Sequence, residues 1–218
     1  MRRSPPRVGV VSDGRLCPGV IGTAVNLILR ELRSYLSERN VPLSNDAPDF
    51  VVQGNIALAD APDLTPPIRE RVVLSVVNIA EESTFKNAPH FERVSNSTRY
   101  RNAPKYLNLF VLFSANYANY ETALRRLSQV VTFFQGKNVF TLQDSPHESF
   151  VDDPIAEMRL IMELFSLTFE QVNYLWASLG GKQMPFVMYK VRLVRVQADR
   201  VTRQAPVIQE IAAGETAV

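Results

Sequence analysis

The sequence predicts an α/β (α+β) fold, a single mixed β-sheet flanked by about three helices. Strand-like and helix-like segments alternate along the chain with long connections between them. The stretch 71–79 carries apolar side chains on both of its faces, as a strand covered on both sides does. With 46% hydrophobic residues in a chain of 218, there is enough apolar surface for a core without a disulfide or metal staple.

Residues 1–18 look unlike the rest: Arg2, Arg3, Pro5, Pro6 and Arg7 precede a turn-like Asp13-Gly14. They read as a loosely packed extension. The first helix is expected over 22–39. Ile21, Val25, Ile28, Leu32 and Tyr35 or Leu36 recur every three or four residues and share a face. Arg30, Glu31, Arg33 and Glu38 lie off that stripe, and Asn40 with Pro42 marks the end. This is the pattern of an amphipathic helix lying on a sheet. Residues 50–58 and 71–79 read as strands. In the second, Val73, Ser75, Val77 and Ile79 alternate with Val72, Leu74, Val76 and Asn78. Between the two strands, DAPDLTPPIRE is too rich in proline for regular structure.

The polar segment 82–104 reads as a long hairpin-like excursion or a loop, a form suited to reaching a neighbouring subunit. A strongly apolar strand follows at 106–113, then a turn at 116–119 and a helix over 120–135. Its expected buried stripe is Ala123, Leu124, Leu127, Val130, Val131 and Phe134, with Gly136 as the stop. A short strand at 139–142, a polar loop and a strand at 158–165 come next. Thr168 and Gln171 have the spacing of a capping box. The helix they open carries Phe169, Val172, Leu175, Trp176 and Leu179 and ends at Gly180-Gly181. A long strand at 186–196 completes the domain. The tail reads as mobile, with a possible short helix around 207–212. The expected divisions are an N-terminal extension at 1–19, the α/β domain at 20–198 and a flexible C-terminal tail at 199–218.

Most chemistry is disfavoured by the motifs. Gly180-Gly181-Lys182 invites a phosphate-loop reading, but Trp176 and Gln183 stand where that loop needs Gly and Ser or Thr. The glycines also follow a helix where they should precede one, so a helix C-cap is the better account. Gly9, Gly14, Gly19 and Gly22 do not have dinucleotide spacing. His90 and His147 lack partners at metal spacing, and Cys17 is the only cysteine, which excludes an intrachain disulfide and fits a reducing cytoplasm. Glu81-Glu82 and Asp152-Asp153 read as loop solvation or turn caps, and no nucleophile elbow is present. No enzymatic activity, metal, cofactor or small-molecule substrate is therefore expected. Trp176 reads as core. No apolar run approaches the roughly 20 residues of a membrane span, and the start lacks the apolar core of a signal peptide. A soluble protein made in the cytoplasm, with no direct membrane contact, is expected. The net charge of +2, with no aromatics interleaved among the basic residues, argues against a nucleic-acid partner.

Three blocks carry a family resemblance: LWASLGGKQMPFVMYKVR at 175–192, VVLSVVNIAEESTFKN at 72–87 and YLNLFVLFSANYANYETALRRLSQVVTFFQGKNVFT at 106–141. With the helix at 20–40 they cover roughly residues 20–196 and are collinear. In these blocks the chain resembles the terminator, or cap, proteins of phage-tail-like contractile injection systems. The resemblance implies a tail-terminator-like fold and a homohexameric ring seated on the last rings of inner tube and sheath. It implies the inner-tube and sheath proteins as partners, in a particle whose membrane-distal end the ring closes. Contacts are then expected at three surfaces: the excursion 92–101 with Arg93, Arg99 and Arg101, the turn 181–185 with Lys182, and the basic strand 190–195 with Lys190, Arg192 and Arg195. The competing class is an adaptor that tethers the particle or its cargo.

Overall fold

The computed structural model describes residues 19–38, 50–61, 67–82, 91–94, 97–101, 105–141, 159–196 and 201–206. The N-terminal extension up to residue 18, Cys17, His90, His147, Asp152-Asp153, residues 62–66 of the Pro-rich linker and the expected short helix at 207–212 lie outside them.

The main sheet has six strands: β1 (Val51–Gln53), β2 (Arg71–Glu81), β5 (Lys105–Asn116), β6 (Val139–Thr141), β7 (Arg159–Leu164) and β8 (Phe186–Val196). Their order is β1-β2-β5-β8-β7-β6. β1 runs parallel to β2 and the remaining neighbours are antiparallel, so the sheet is mixed as expected. The expected strand at 50–58 is shorter than its apolar run: after β1 the chain turns into a 3-10 turn at Ile56–Leu58, where the Asn55 side chain accepts the Ala57 N–H. Ser75 Oγ ties this turn to β2, donating to the Gly54 carbonyl at 2.7 Å and accepting the Ile56 N–H at 3.2 Å.

One side of the sheet carries α1 (Val20–Glu38) and α2 (Tyr120–Gly136). Its core joins Ile28 and Leu32 of α1, Val130, Phe133 and Phe134 of α2, and Leu74, Val111, Phe113, Phe140, Tyr189 and Val191 of the strands. More of α1 is buried than one stripe, including Thr23, Ala24, Leu27 and Leu29. The cause is curvature. Arg33 Nε of α1 donates to the Val51 carbonyl of edge strand β1 at 2.8 Å, and two residues earlier Glu31 pairs at 2.7 Å with Lys137, next to the opposite edge strand β6. Both edges of the sheet thus curl towards the same helix. The Arg33 bond also occupies an outward-facing carbonyl of β1, since Phe50 and Gly54 are the residues whose backbone groups turn to β2. Such cover discourages stray strand pairing.

The other side carries α3 (Phe169–Ser178) over a smaller core of Val52, Ile56, Ile68, Val73, Leu112, Trp176 and Met188. Thr168 and Gln171 form the expected capping box. After α3, Gly180 and Gly181 adopt φ of 101° and 81°, the left-handed region that glycine enters without a Cβ penalty. The Gly181 N–H donates back to the Trp176 carbonyl at 2.7 Å, the long bond of a Schellman ending. The double glycine is a helix exit.

Two expectations need correction. β2 is covered on both faces only from Val72 to Ser75; from Val76, where a bulge at Val76/Asn78 begins, every residue is exposed or half-exposed. The ten residues of α3 span about 15 Å, while the eleven of β2 span about 36 Å, so one short helix leaves the far half uncovered. On α2, the buried set is Ala123, Arg126, Leu127, Val130, Phe133 and Phe134; Leu124 and Val131 are exposed. The helix is rolled so that Arg126 turns inward, its guanidinium 4.6 Å from the Phe50 ring centre and donating to Gln129 Oε1 at 2.9 Å. Burial holds the Arg126 pKa below its usual value.

A second, antiparallel sheet adds to the expected single one. Within the excursion 82–104, β3 (Phe91–Val94) and β4 (Ser97–Arg101) form a hairpin, and β9 (Val201–Pro206) pairs with β4. β9 lies in the stretch assigned from sequence to the tail. Its apolar residues are sparse and its strand character comes from the partner it finds, which no local pattern shows.

Candidate assembly surfaces

The three expected contact surfaces fall into two places. β8 continues through 197–200 into β9, and β2 and β5 lead into and out of the β3–β4 hairpin. The small sheet is thus rooted at the end of the main sheet where Glu81, Lys105 and Val196 meet. Arg93 stands opposite Thr98, Arg99 opposite Glu92 and Gln204, and Arg101 opposite Val201. Arg195 stands opposite Tyr106, close to that root. Lys182 is at the other end of β8, before Phe186. Eleven strand residues, about 36 Å, separate it from the root.

Arg192 is the best-defined of these groups. It projects from the interior strand β8 and donates to Glu163 Oε1 of β7 at 2.9 Å, with Glu82 Oε2 at 3.9 Å. Glu82 in turn accepts from Asn108 Nδ2 of β5 at 2.9 Å. The bond to Glu163, the charge of Glu163 and the more distant Glu82 hold the Arg192 pKa above its usual value, against a smaller opposing effect of desolvation. Glu81 pairs with Lys105 at 3.6 Å in the same region. This cluster ties β2, β5, β7 and β8 together at the base of the small sheet. Lys190 is half-buried two residues earlier on β8, opposite Phe110 and Glu163. Lys182 pairs with Asp60, and that hydrogen bond and charge lower the Asp60 pKa. The pair pins the turn after α3 to the turn after the 3-10 segment.

Sequence reasoning missed Glu82, Asn108 and Glu163, because they meet only through strand order. It counted Phe169 among the apolar residues that α3 carries. In the structure Phe169 is 96% exposed, while Trp176 is buried as expected, its ring 5.5 Å from that of Phe186.

Among the described residues no group of three or more His, Cys, Asp or Glu side chains could hold a metal ion. No helix among them is long and apolar enough to cross a membrane.

A family model described as the Pvc16 N-terminal domain matches residues 24–210. The chain belongs to that family. Solved structures agree on the fold. One is the sheath/tube terminator of PVC, an extracellular contractile injection system, in its extended state; it is 12% identical with a TM-score of 0.57, over 91% of this chain and 63% of that one. Another is the tube-terminating cap of the anti-feeding prophage, 14% identical with a TM-score of 0.56, over 88% of this chain and 60% of that one. The chain therefore spans about three-fifths of the length of these structures. No curated protein matches it. The family resemblance read from the three sequence blocks and the mixed-sheet fold with three helices are both borne out by these matches.

Proposed function

We propose that this protein is a structural, non-enzymatic terminator of a contractile injection system. It forms a hexameric ring that ends inner-tube and sheath polymerisation at the baseplate-distal end and couples the two. The observation that carries this reading is the family match over 24–210, on a fold shared with a sheath/tube terminator and a tube-terminating cap.

The physical logic is that a tube grows because each ring presents on top what the next ring needs below. A terminator matches that surface on one face and does not reproduce it on the other. A closed ring repeats each weak contact several times, so modest contacts add to firm attachment. In this reading the chain is made in the cytoplasm and joins the particle there. The small sheet, with Arg93, Arg99 and Arg101, and the Arg195 end of β8 supply basic contacts for acidic surfaces of tube or sheath. Lys182, Lys190 and Arg192 complete the candidate contact set, with Arg192 also bracing the root of the small sheet.

The test is electron microscopy of particles purified with and without this gene. Overlong or ragged tubes with open ends in the deletion support the reading. Normal, capped particles in the deletion refute it and favour an adaptor.

A further inference from the structure

Among the described residues β2 is paired on its outer side only at Val72, Val73 and Leu74, by β1. β1 then ends, because Ser75 Oγ holds the Gly54 carbonyl and the Ile56 N–H where the chain turns into the 3-10 segment. From Val76 to Glu81, about 20 Å of strand, β2 is therefore an edge of the main sheet. The bonds on either side fix which way its backbone groups point. The Leu74 carbonyl faces outward, where it accepts the Gly54 N–H, and the Glu82 N–H faces inward, donating to the Tyr106 carbonyl. Alternation then turns Val76, ahead of the bulge, and Ile79 and Glu81, after it, outward. Ile79 agrees with this: its N–H donates at 2.8 Å to Asn78 Oδ1. That side-chain oxygen stands in for the carbonyl of a further strand.

The side chains point the same way. Val76 and Ile79 lie opposite Val111 and Leu109 of β5, which are fully buried in the core on the α1/α2 side. They are themselves 36% and 47% exposed. On the other side of the sheet, Asn78 and Ala80 lie opposite Phe110 and Asn108. One more strand, apolar on the α1/α2 side and polar on the other, would extend that core and complete the ladder. Unpaired edge groups are a template for an extended chain, which binds through its main-chain hydrogen bonds. Two copies of this protein joined through the same edge would be related by a two-fold axis and stop at a dimer, which builds no ring. The strand is therefore that of a different protein.

We propose that the outer edge of β2 from Val76 to Glu81 receives an extended segment of another protein of the particle, about five residues long, with alternating apolar and polar side chains. This rests on the terminator reading, which puts the chain in a particle. The test uses the full chain in assembled particles. In it p-benzoylphenylalanine replaces Ile79, and the peptides crosslinked by irradiation are identified by mass spectrometry, in the particles and in the purified chain alone. The expected product joins position 79 to one short segment of a different particle protein, and it is absent from the chain alone. Two variants block the edge and leave the β2–β5 ladder intact: Val76→Lys, which charges it, and Glu81→Pro, which removes an outward N–H. Circular dichroism checks the fold. Each folded variant is expected to be retained on purified particles at least about tenfold less than the wild type. Should Glu81→Pro fail to fold, Val76→Lys carries the test alone. Crosslinks found only within the chain or between its copies, no crosslink at all, or wild-type retention of either folded variant would overturn the proposal. Such a result leaves the terminator reading standing wherever the deletion still yields uncapped particles; the terminator reading fails only when the deletion changes nothing.

Discussion

The two sides of the main sheet differ in depth. On the α1/α2 side, five aromatic rings interlock: Phe113 with Phe134 and Tyr189, Phe134 with Phe133, and Phe140 with both Phe133 and Phe134. Two helices of nineteen and seventeen residues cover them. On the α3 side one ten-residue helix covers a core centred on Trp176. Beyond its reach the strands turn polar, with Asn108, Lys190 and Arg192. The difference is one of depth: one side carries a deep aromatic core, and the other a shallow core that gives way to a polar surface.

The largest test of that contrast is Phe113→Ala. Phe113 is fully buried at the centre of the aromatic cluster, and its truncation is expected to cost about 3–5 kcal/mol, read by denaturant unfolding. A cost below about 1 kcal/mol would show that the cohesion lies elsewhere.

A second test is alkaline. Burial pushes the Tyr189 phenol up to about 12 and raises that of Tyr117 as well, with Glu70 adding to the latter. The unfolded chain ionises near pH 10 and the folded chain resists. The contribution of Tyr189 is therefore fully present below pH 10 and is lost as pH rises towards 12, about 2–3 kcal/mol in all. Tyr189→Phe is expected to flatten the stability curve across that window; an unchanged slope would contradict the burial of the hydroxyl.

The smallest test is on the α3 side. Thr168→Ala removes the capping-box acceptor for the Gln171 N–H and is expected to cost about 1 kcal/mol. A loss as large as that of Phe113→Ala would erase the distinction between the sides.

What the sequence disclosed follows the same division. Periodicity located α1 and α2 because each buries one broad side, and apolar runs located β5 and β8; for α3, in which Trp176 alone is fully buried, the Thr168–Gln171 box and the Gly180-Gly181 exit were readable from local chemistry alone. The roll of α2 was not, because Leu124 and Val131 are as apolar as Val130, and which side turns inward is set by packing against residues distant in sequence, such as Phe113, Tyr189 and Phe50. β9 was hidden for a different reason: its stability comes from β4, a hundred residues earlier in the chain. The candidate contact residues were legible as basic positions. Their grouping was not, since Lys182 and Arg195 are near in sequence and lie towards opposite ends of β8.

The most direct measurement is a cryo-EM reconstruction of the baseplate-distal end of the wild-type particle. The account predicts a six-fold ring of this mixed-sheet fold seated on the last tube and sheath rings. A tube end closed by a different protein, with this chain located elsewhere on the particle, would contradict it.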